Sequence, residues 1–268
     1  MEPGIYTDLS SGACHAAPGI SKSGLDRMAR SPAHYQAYLR EPRVVTPAMR
    51  AGTALHTAIL EPGLFGSQYA VSPKFDRRTT KGKADAAAFE AENAGKEPVS
   101  EDEYENWMRC AEAVRTHPAC AFLFQKGHAE RSVFANDPVT GEMVKCRPDW
   151  EAKVGEMTVN VDIKSTDDAR VSAFSRSAFN YGYPMQSAFY SDVCEWAGLP
   201  KPDSWFFIAF EKEPPYGIVV FEPDQDFIEY GRTQYRRALD LYHHCKELNE
   251  WPAYQTEVQK LSLPSWAS

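Results

Sequence analysis

Between 143 and 164 the chain alternates apolar and polar residues, which predicts two short strands, 143–150 and 157–164, with a turn over 151–156 containing Gly155. Successive strand side chains point to opposite sides. In the second strand Thr158, Asn160, Asp162 and Lys164 therefore share one face, and Met157, Val159, Val161 and Ile163 share the other. A further strand is predicted over 129–136, turned by 137–141 into the first of these two, and a second hairpin over 205–210 and 217–221.

Elsewhere apolar residues recur every three or four positions, as on a helix. Ser21 N-caps a short helix carrying Leu25 and Met28, and Ser31-Pro32 opens another that runs to about Leu39. A helix over 47–60 carries Leu55 and Ile59 and stops at Glu61-Pro62-Gly63. An Ala-rich helical stretch follows a polar one within 77–95. Ser100-Glu101-Asp102-Glu103 resembles a capping box opening an amphipathic helix over 100–117, with Tyr104, Trp107, Met108 and Ala111 toward the core. Pro184 starts a helix to about Ala197, and a long closing helix over 224–251 carries Phe227, Tyr230, Tyr235, Leu239 and Tyr242. Residues 165–183 read as a polar segment spotted with aromatics. Together the elements predict an α/β fold, a central mixed sheet flanked by helices. The 268 residues form one domain, with an arm at 1–19, a core at 20–222, and a helix and tail at 223–268.

The hairpin carries the candidate chemistry. Asp162 and Lys164 point the same way, and Asp149, near the end of the partner strand, comes alongside Asp162. Two carboxylates and one ammonium thus converge at one sheet edge. Carboxylate oxygens suit Mg²⁺, which keeps waters and phosphate oxygens as its other ligands, polarises a phosphate and lowers the pKa of bound water. Lys164 would orient or deprotonate that water and offset charge on the phosphate. A cross-strand Asp–Lys pair on a solvated face is the structural alternative.

Composition narrows the setting. No apolar run approaches the ~20 residues of a membrane span, and no basic start leads into an apolar core, so a cytoplasmic protein without membrane contact is expected. Six cysteines are scattered without a C-x-x-C pair and read as reduced thiols. The net charge of −8 argues against indiscriminate coating of nucleic acid but leaves room for one focused basic channel. Lys22, Arg27, Arg30 and the run over 74–83, with Arg77, Arg78 and Lys81, are the candidate contributors. A solvated mixed-charge loop is the bland reading of that run.

Pro148-Asp149, a hydrophobic strand and Asp162-Ile163-Lys164 resemble the PD-(D/E)XK nuclease signature. Ile20-Ser21-Lys22-Ser23 with Ser31-Pro32-Ala33-His34-Tyr35, Gly52-Thr53-Ala54-Leu55-His56, the Glu130 strand, and Gln186 with Tyr190 occur in the order of its RecB-like branch. Within that branch the chain is similar to RecE-type phage exodeoxyribonucleases, over roughly residues 18 to 195. The resemblance implies metal binding by His56, Asp149, Asp162 and the Ile163 carbonyl, action of Lys164 on the nucleophilic water, and Glu130 as a further acid. It also places Gln186 and Tyr190 at the border of the site on the DNA backbone, and Lys22, Arg27 and Tyr35 beside the DNA end. Core packing is the structural alternative for Tyr35 and the reading adopted for Tyr38.

The implied activity is Mg²⁺-dependent digestion of duplex DNA ends, 5′→3′, leaving a 3′ strand for a phage annealing protein of the RecT type. Mn²⁺ would substitute, since an imidazole ligand favours it over a pure oxygen cage. No iron–sulfur cluster is expected, because Ser31-Pro32 stands where such a cysteine would be and the tail has none. A ring, trimer or tetramer, is expected, with the aromatic last helix and the tail over 261–268 as interface material. Competing readings are a structure-specific or restriction-like endonuclease and a catalytically silent DNA-binding scaffold.

Overall fold

The computed structural model describes residues 1–41 and 44–263. In chain order the elements are β1 (Gly4–Tyr6), α1 (Ser11–Ala16), α2 (Lys22–Arg30), α3 (Pro32–Arg40), α4 (Pro47–Leu60), α5 (Pro62–Gln68), β2 (Tyr69–Ser72), α6 (Thr80–Glu92), β3 (Glu97–Ser100), α7 (Glu101–Thr116), β4 (Gly127–Ala129), β5 (Ser132–Asn136), β6 (Met143–Cys146), β7 (Trp150–Val154), β8 (Met157–Thr166), α8 (Val171–Asn180), α9 (Tyr183–Trp196), β9 (Ser204–Glu211), β10 (Ile218–Phe221) and α10 (Gln225–Leu248). The centre is a mixed sheet of order β10-β9-β8-β7-β4, in which only β8 and β9 run parallel. A smaller antiparallel sheet, β1-β5-β6, stands beside it, and β2 pairs with β3.

The two faces of β8 separate as the alternation predicts. Val159, Val161 and Ile163 are buried with Leu55, Ile59, Trp107 and Ala111, so α4 and α7 cover that face. Phe174, Trp205 and Phe207 pack on the opposite face, toward α8 and α9. The Ser100 and Glu103 box closes reciprocally at the start of α7, satisfying amides that would otherwise lack partners.

Five expectations are corrected. The strand 143–150 is two strands in different sheets: β6 pairs with β5 and β7 with β8, because Pro148 cannot donate to a ladder and the chain changes sheets there. The 151–156 turn shrinks accordingly, since Glu151 to Val154 are paired and only Gly155 and Glu156 turn the chain. The strand 129–136 likewise breaks after β4, where Glu130 adopts a left-handed φ of 50° that no strand accommodates. The arm is part of the fold: β1 pairs with β5, and Lys145 reaches from β6 to the carbonyls of Cys14, His15 and Ala17. The segment 165–183 contains α8, whose Phe174 and Ala178 are buried four residues apart.

Helix α9 lies against α10, and their crossing depends on Gly231. A Cβ there would fall 1.8 Å from the Pro184 carbonyl oxygen, so only glycine lets α10 approach the first turn of α9 this closely. Asp192 of α9 fastens the pair by accepting from Arg232 Nε at 2.8 Å, Arg232 Nη2 at 2.9 Å and the Tyr235 hydroxyl. The N-terminal turn of α9 is thereby held over β8. All six cysteines are free and buried, and no helix among the described residues is long and apolar enough to cross a membrane.

Candidate metal centre

The β-ladders bring the acids together. β4 and β7 pair His128 with Glu151, and β7 and β8 pair Glu151 with Asn160. Two residues further along these ladders stand Glu130, Asp149 and Asp162, and the Glu130 amide donates to the Asp149 carbonyl at 3.0 Å. Helix α4 delivers His56 from the other side. Its Nδ1 lies 3.6 Å from Glu130 Oε1 and 3.7 Å from Asp149 Oδ2. One donor atom from each of His56, Glu130 and Asp149 falls within 4.8 Å of the others.

Each acid is also held from behind. Asp149 Oδ2 accepts the Ile163 amide at 2.8 Å. Arg147 Nε donates to Glu130 Oε2 at 2.7 Å, while its Nη1 holds the Leu9 carbonyl at 2.9 Å and Ser132 Oγ at 2.6 Å. Asp162 is fully buried, and its Oδ2 accepts the Gln186 amide from α9. Lys164 Nζ closes on Asp162 Oδ1 as an ion pair, but off the axis of a hydrogen bond, so that buried oxygen has no aligned donor. The same ammonium sits 4.7 Å from the centroid of the Tyr183 ring.

Crowding shifts the titrations. Burial and the neighbouring Asp162 charge push Asp149 up to about 7. Burial opposes protonation of His56, yet Asp149 and the hydrogen bond to Glu130 raise it to about 9. Burial likewise disfavours the Glu130 carboxylate, but His56 and Arg147 hold it below the usual range. Partial desolvation disfavours the Lys164 ammonium, but Asp162 and Asp149 outweigh this and hold it above the ordinary lysine range.

This donor set fits a divalent cation. Hard carboxylate oxygens with one imidazole suit Mg²⁺ or Mn²⁺, and a cation would relieve the repulsion that raises Asp149. Asp162 lies outside the three-residue cluster, engaged by Lys164 and Gln186, and Ile163 offers its amide to Asp149.

The remaining candidates are scattered. Tyr35 is buried, 5.5 Å from Tyr242 and 5.8 Å from Trp251 between ring centroids, so it packs in the core and has no face for DNA; Tyr38, expected in the core, is the exposed one. Tyr190 is half-buried against Trp205, with ring centroids 6.2 Å apart. Lys22 pairs with Asp26 at 2.9 Å and donates to the Tyr181 carbonyl at 2.5 Å, which ties it to the turn before Tyr183. Arg27 covers the Tyr38 ring and Arg30 donates to the Tyr254 hydroxyl at 3.2 Å. Arg77 and Arg78 pair with Glu90 and Asp76, and Lys81 is exposed in the first turn of α6. Such solvent-exposed pairs add little to stability. Sequence reading missed Arg147 and Tyr183. Arg147 directly precedes the Pro148-Asp149 pair, and Tyr183 sits at the start of the Gln186 helix.

A family model described as a PDDEXK-like domain of unknown function (DUF3799) matches residues 21–263. The chain belongs to that family. Its fold is similar to the crystal structure of a Eubacterium rectale protein titled "Putative exonuclease", with a TM-score of 0.57 at 13% identity over 96% of each chain. Weaker likenesses are to SSO0001, with a TM-score of 0.32 at 13% identity over 76% of this chain and 89% of that one, and to VC1899 from Vibrio cholerae, with 0.23 at 9% over 86% and 57%. These two support no argument. Among curated proteins, none matches the sequence significantly.

Proposed function

We propose that this PDDEXK-like domain is a metal-dependent deoxyribonuclease that digests duplex DNA from its ends, 5′→3′, leaving a 3′ strand for an annealing protein of the RecT type. The observation that carries the hydrolytic reading is the convergence of His56, Glu130 and Asp149, with Asp162 and Lys164 beside them. End digestion is supported by the resemblance to RecE-type enzymes and by the exonuclease description of the Eubacterium rectale protein with a similar fold.

His56, Glu130 and Asp149 would hold the cation, with Asp162 and the Ile163 carbonyl as further ligands. When bound, Mg²⁺ polarises the scissile phosphate and lowers the pKa of an attacking water. Lys164, an ammonium between the Asp162 carboxylate and the Tyr183 ring, orients that water and offsets charge on the phosphate. Arg147 fixes Glu130, and Gln186 fixes Asp162, so the acids keep their places when the cation leaves. Hydrolysis adds water across the P–O bond and leaves a phosphate on one product and a hydroxyl on the other.

A ring of three or four subunits would gather the few basic groups around a channel and keep the acidic surface outside, reconciling a net charge of −8 with DNA binding. Part of the tail named as interface material, 264–268, lies outside the described residues. The test uses linear and closed circular duplex with Mg²⁺. End digestion of the linear form alone supports the proposal, cutting of the circle replaces it with an endonuclease, and inertness refutes hydrolysis. Light scattering that gives a monomer would remove the ring.

A further inference from the structure

The strand registers that align Glu130, Asp149 and Asp162 also order what lies next to them on the same face. One step along, His128, Glu151, Asn160 and Trp205 stand side by side across β4, β7, β8 and β9. The next step places Lys126 beside Lys153, whose amide donates to the Lys126 carbonyl at 2.8 Å, and Lys153 opposite Thr158. Each step is two residues, about 7 Å at the usual strand rise. Lys126 and Lys153 therefore stand about 13 Å from the acids, on the same face.

Of these residues Lys126, His128, Glu151, Lys153 and Thr158, together with Arg131, line a cavity of about 410 Å³. Its one buried carboxylate is already neutralised, since Arg131 Nε donates to Glu151 Oε1 at 3.0 Å and Nη2 to the other oxygen. Lys126 and Lys153 are exposed, and among the described residues neither is paired with a carboxylate; Lys153 donates to the Glu156 carbonyl at 2.7 Å and Thr158 Oγ1 at 3.2 Å. The nearby Asp203 is turned to the Thr158 amide, which it accepts at 2.8 Å. In the intermediate row, Asn160 Nδ2 and Trp205 Nε1 are buried donors without partners. A net-positive cavity with spare donors beside it is built for an anion, in a chain whose net charge is −8.

We propose that this cavity binds a backbone phosphate of the same nucleic-acid strand that is cut at the acids, a short way along that strand from the scissile phosphate. Lys126 and Lys153 supply the charge, His128 and the Arg131–Glu151 pair shape the floor, and the open β4 edge lets the strand run along the sheet. The inference rests on the nuclease reading and adds to it a phosphate site remote from the chemistry.

The test compares wild type, Lys126→Ala/Lys153→Ala and Lys126→Arg/Lys153→Arg, all checked for folding by circular dichroism. Anisotropy of a labelled duplex in metal-free buffer should show the alanine variant binding roughly tenfold more weakly, with a salt slope lower by about two, and the arginine variant restored. Hydrolysis of bis(p-nitrophenyl) phosphate with Mg²⁺, a substrate too short to reach the cavity, should be unchanged, while KM for duplex rises. Wild type that cuts DNA while the alanine variant keeps its affinity and slope refutes the site alone. Equal loss on both substrates refutes it too, by showing that the lysines act on the centre itself. Inorganic phosphate that raises the wild-type Tm through these lysines, with DNA binding unaffected, makes it a free-anion site instead. Wild type that neither binds nor cuts DNA with Mg²⁺ ends the nuclease reading, and this site with it.

Discussion

Lys164 Nζ lies 4.7 Å from the centroid of the Tyr183 ring, so the site lysine is covered by an aromatic face contributed by the first residue of α9. The ring also stacks on Phe207, at 5.5 Å between centroids and 24° between planes, which fixes its position. A desolvated cation–π contact is worth about 2 kcal/mol.

Removing that face should therefore cost rate. Tyr183→Leu is expected to lower single-turnover DNA cleavage about 5- to 30-fold, while Tyr183→Phe, which keeps the π face, stays near wild type. Metal affinity should be the same in both variants. Equal loss in both would assign the effect to the hydroxyl and not to the ring.

Ligand and water-positioning roles separate by substitution. Asp149→Asn and His56→Ala are expected to abolish saturable Mn²⁺ binding together with cleavage, because each removes a donor from the three-residue cluster. Lys164→Ala should retain metal and DNA binding and lose cleavage by a hundredfold or so, the usual scale for a positioned proton-transfer or charge-stabilising group. Calorimetry with Mn²⁺ beside single-turnover cleavage distinguishes the two, and a fully active Lys164→Ala protein would contradict its role.

Metal binding should depend on pH in a definite direction. His56 carries a proton below about 9 and Asp149 below about 7, and a cation must displace both. Affinity should thus rise from pH 6 to pH 9, with proton release visible as a buffer-dependent enthalpy. The metal-free protein should behave in the opposite sense. Both groups bind protons more tightly folded than unfolded, so their contribution to stability is present at low pH and is lost through about 7 for Asp149 and about 9 for His56. Thermal melts with and without Mn²⁺ across this range check both signs.

The α9–α10 crossing should tolerate no side chain at Gly231. A methyl there meets the Pro184 carbonyl at 1.8 Å, a backbone atom that cannot swing away. Gly231→Ala is expected to destabilise the protein by at least the 1–3 kcal/mol typical of overpacking, and to displace the turn that carries Gln186 to Asp162. Urea denaturation together with metal titration measures both consequences.

By itself the sequence determined the local chemistry. Alternation along 157–164 placed Asp162 and Lys164 on one face and the valines on the other, because strand periodicity is a property of the backbone alone. Ser31 and Ser100 announced their helices, because a cap acts within three or four residues. The motif order was also legible, including His56, far from the acids along the chain.

Tertiary structure decided what depends on contacts between distant segments. Whether Glu130 stood at the site could not be read from its own neighbours; it is there because β4 pairs with β7 and its chain then turns at a left-handed φ. Tyr35 and Tyr38 carry the same ring three residues apart, and only the packing of α10 and Trp251 decides which one is buried. Arg147 and Tyr183 joined the centre because a change of sheet and a helix crossing brought them there. The alignment of acids with the Lys126 and Lys153 cavity required the registers of three strands at once, since shifting any one by a single residue would send its side chains to the opposite face.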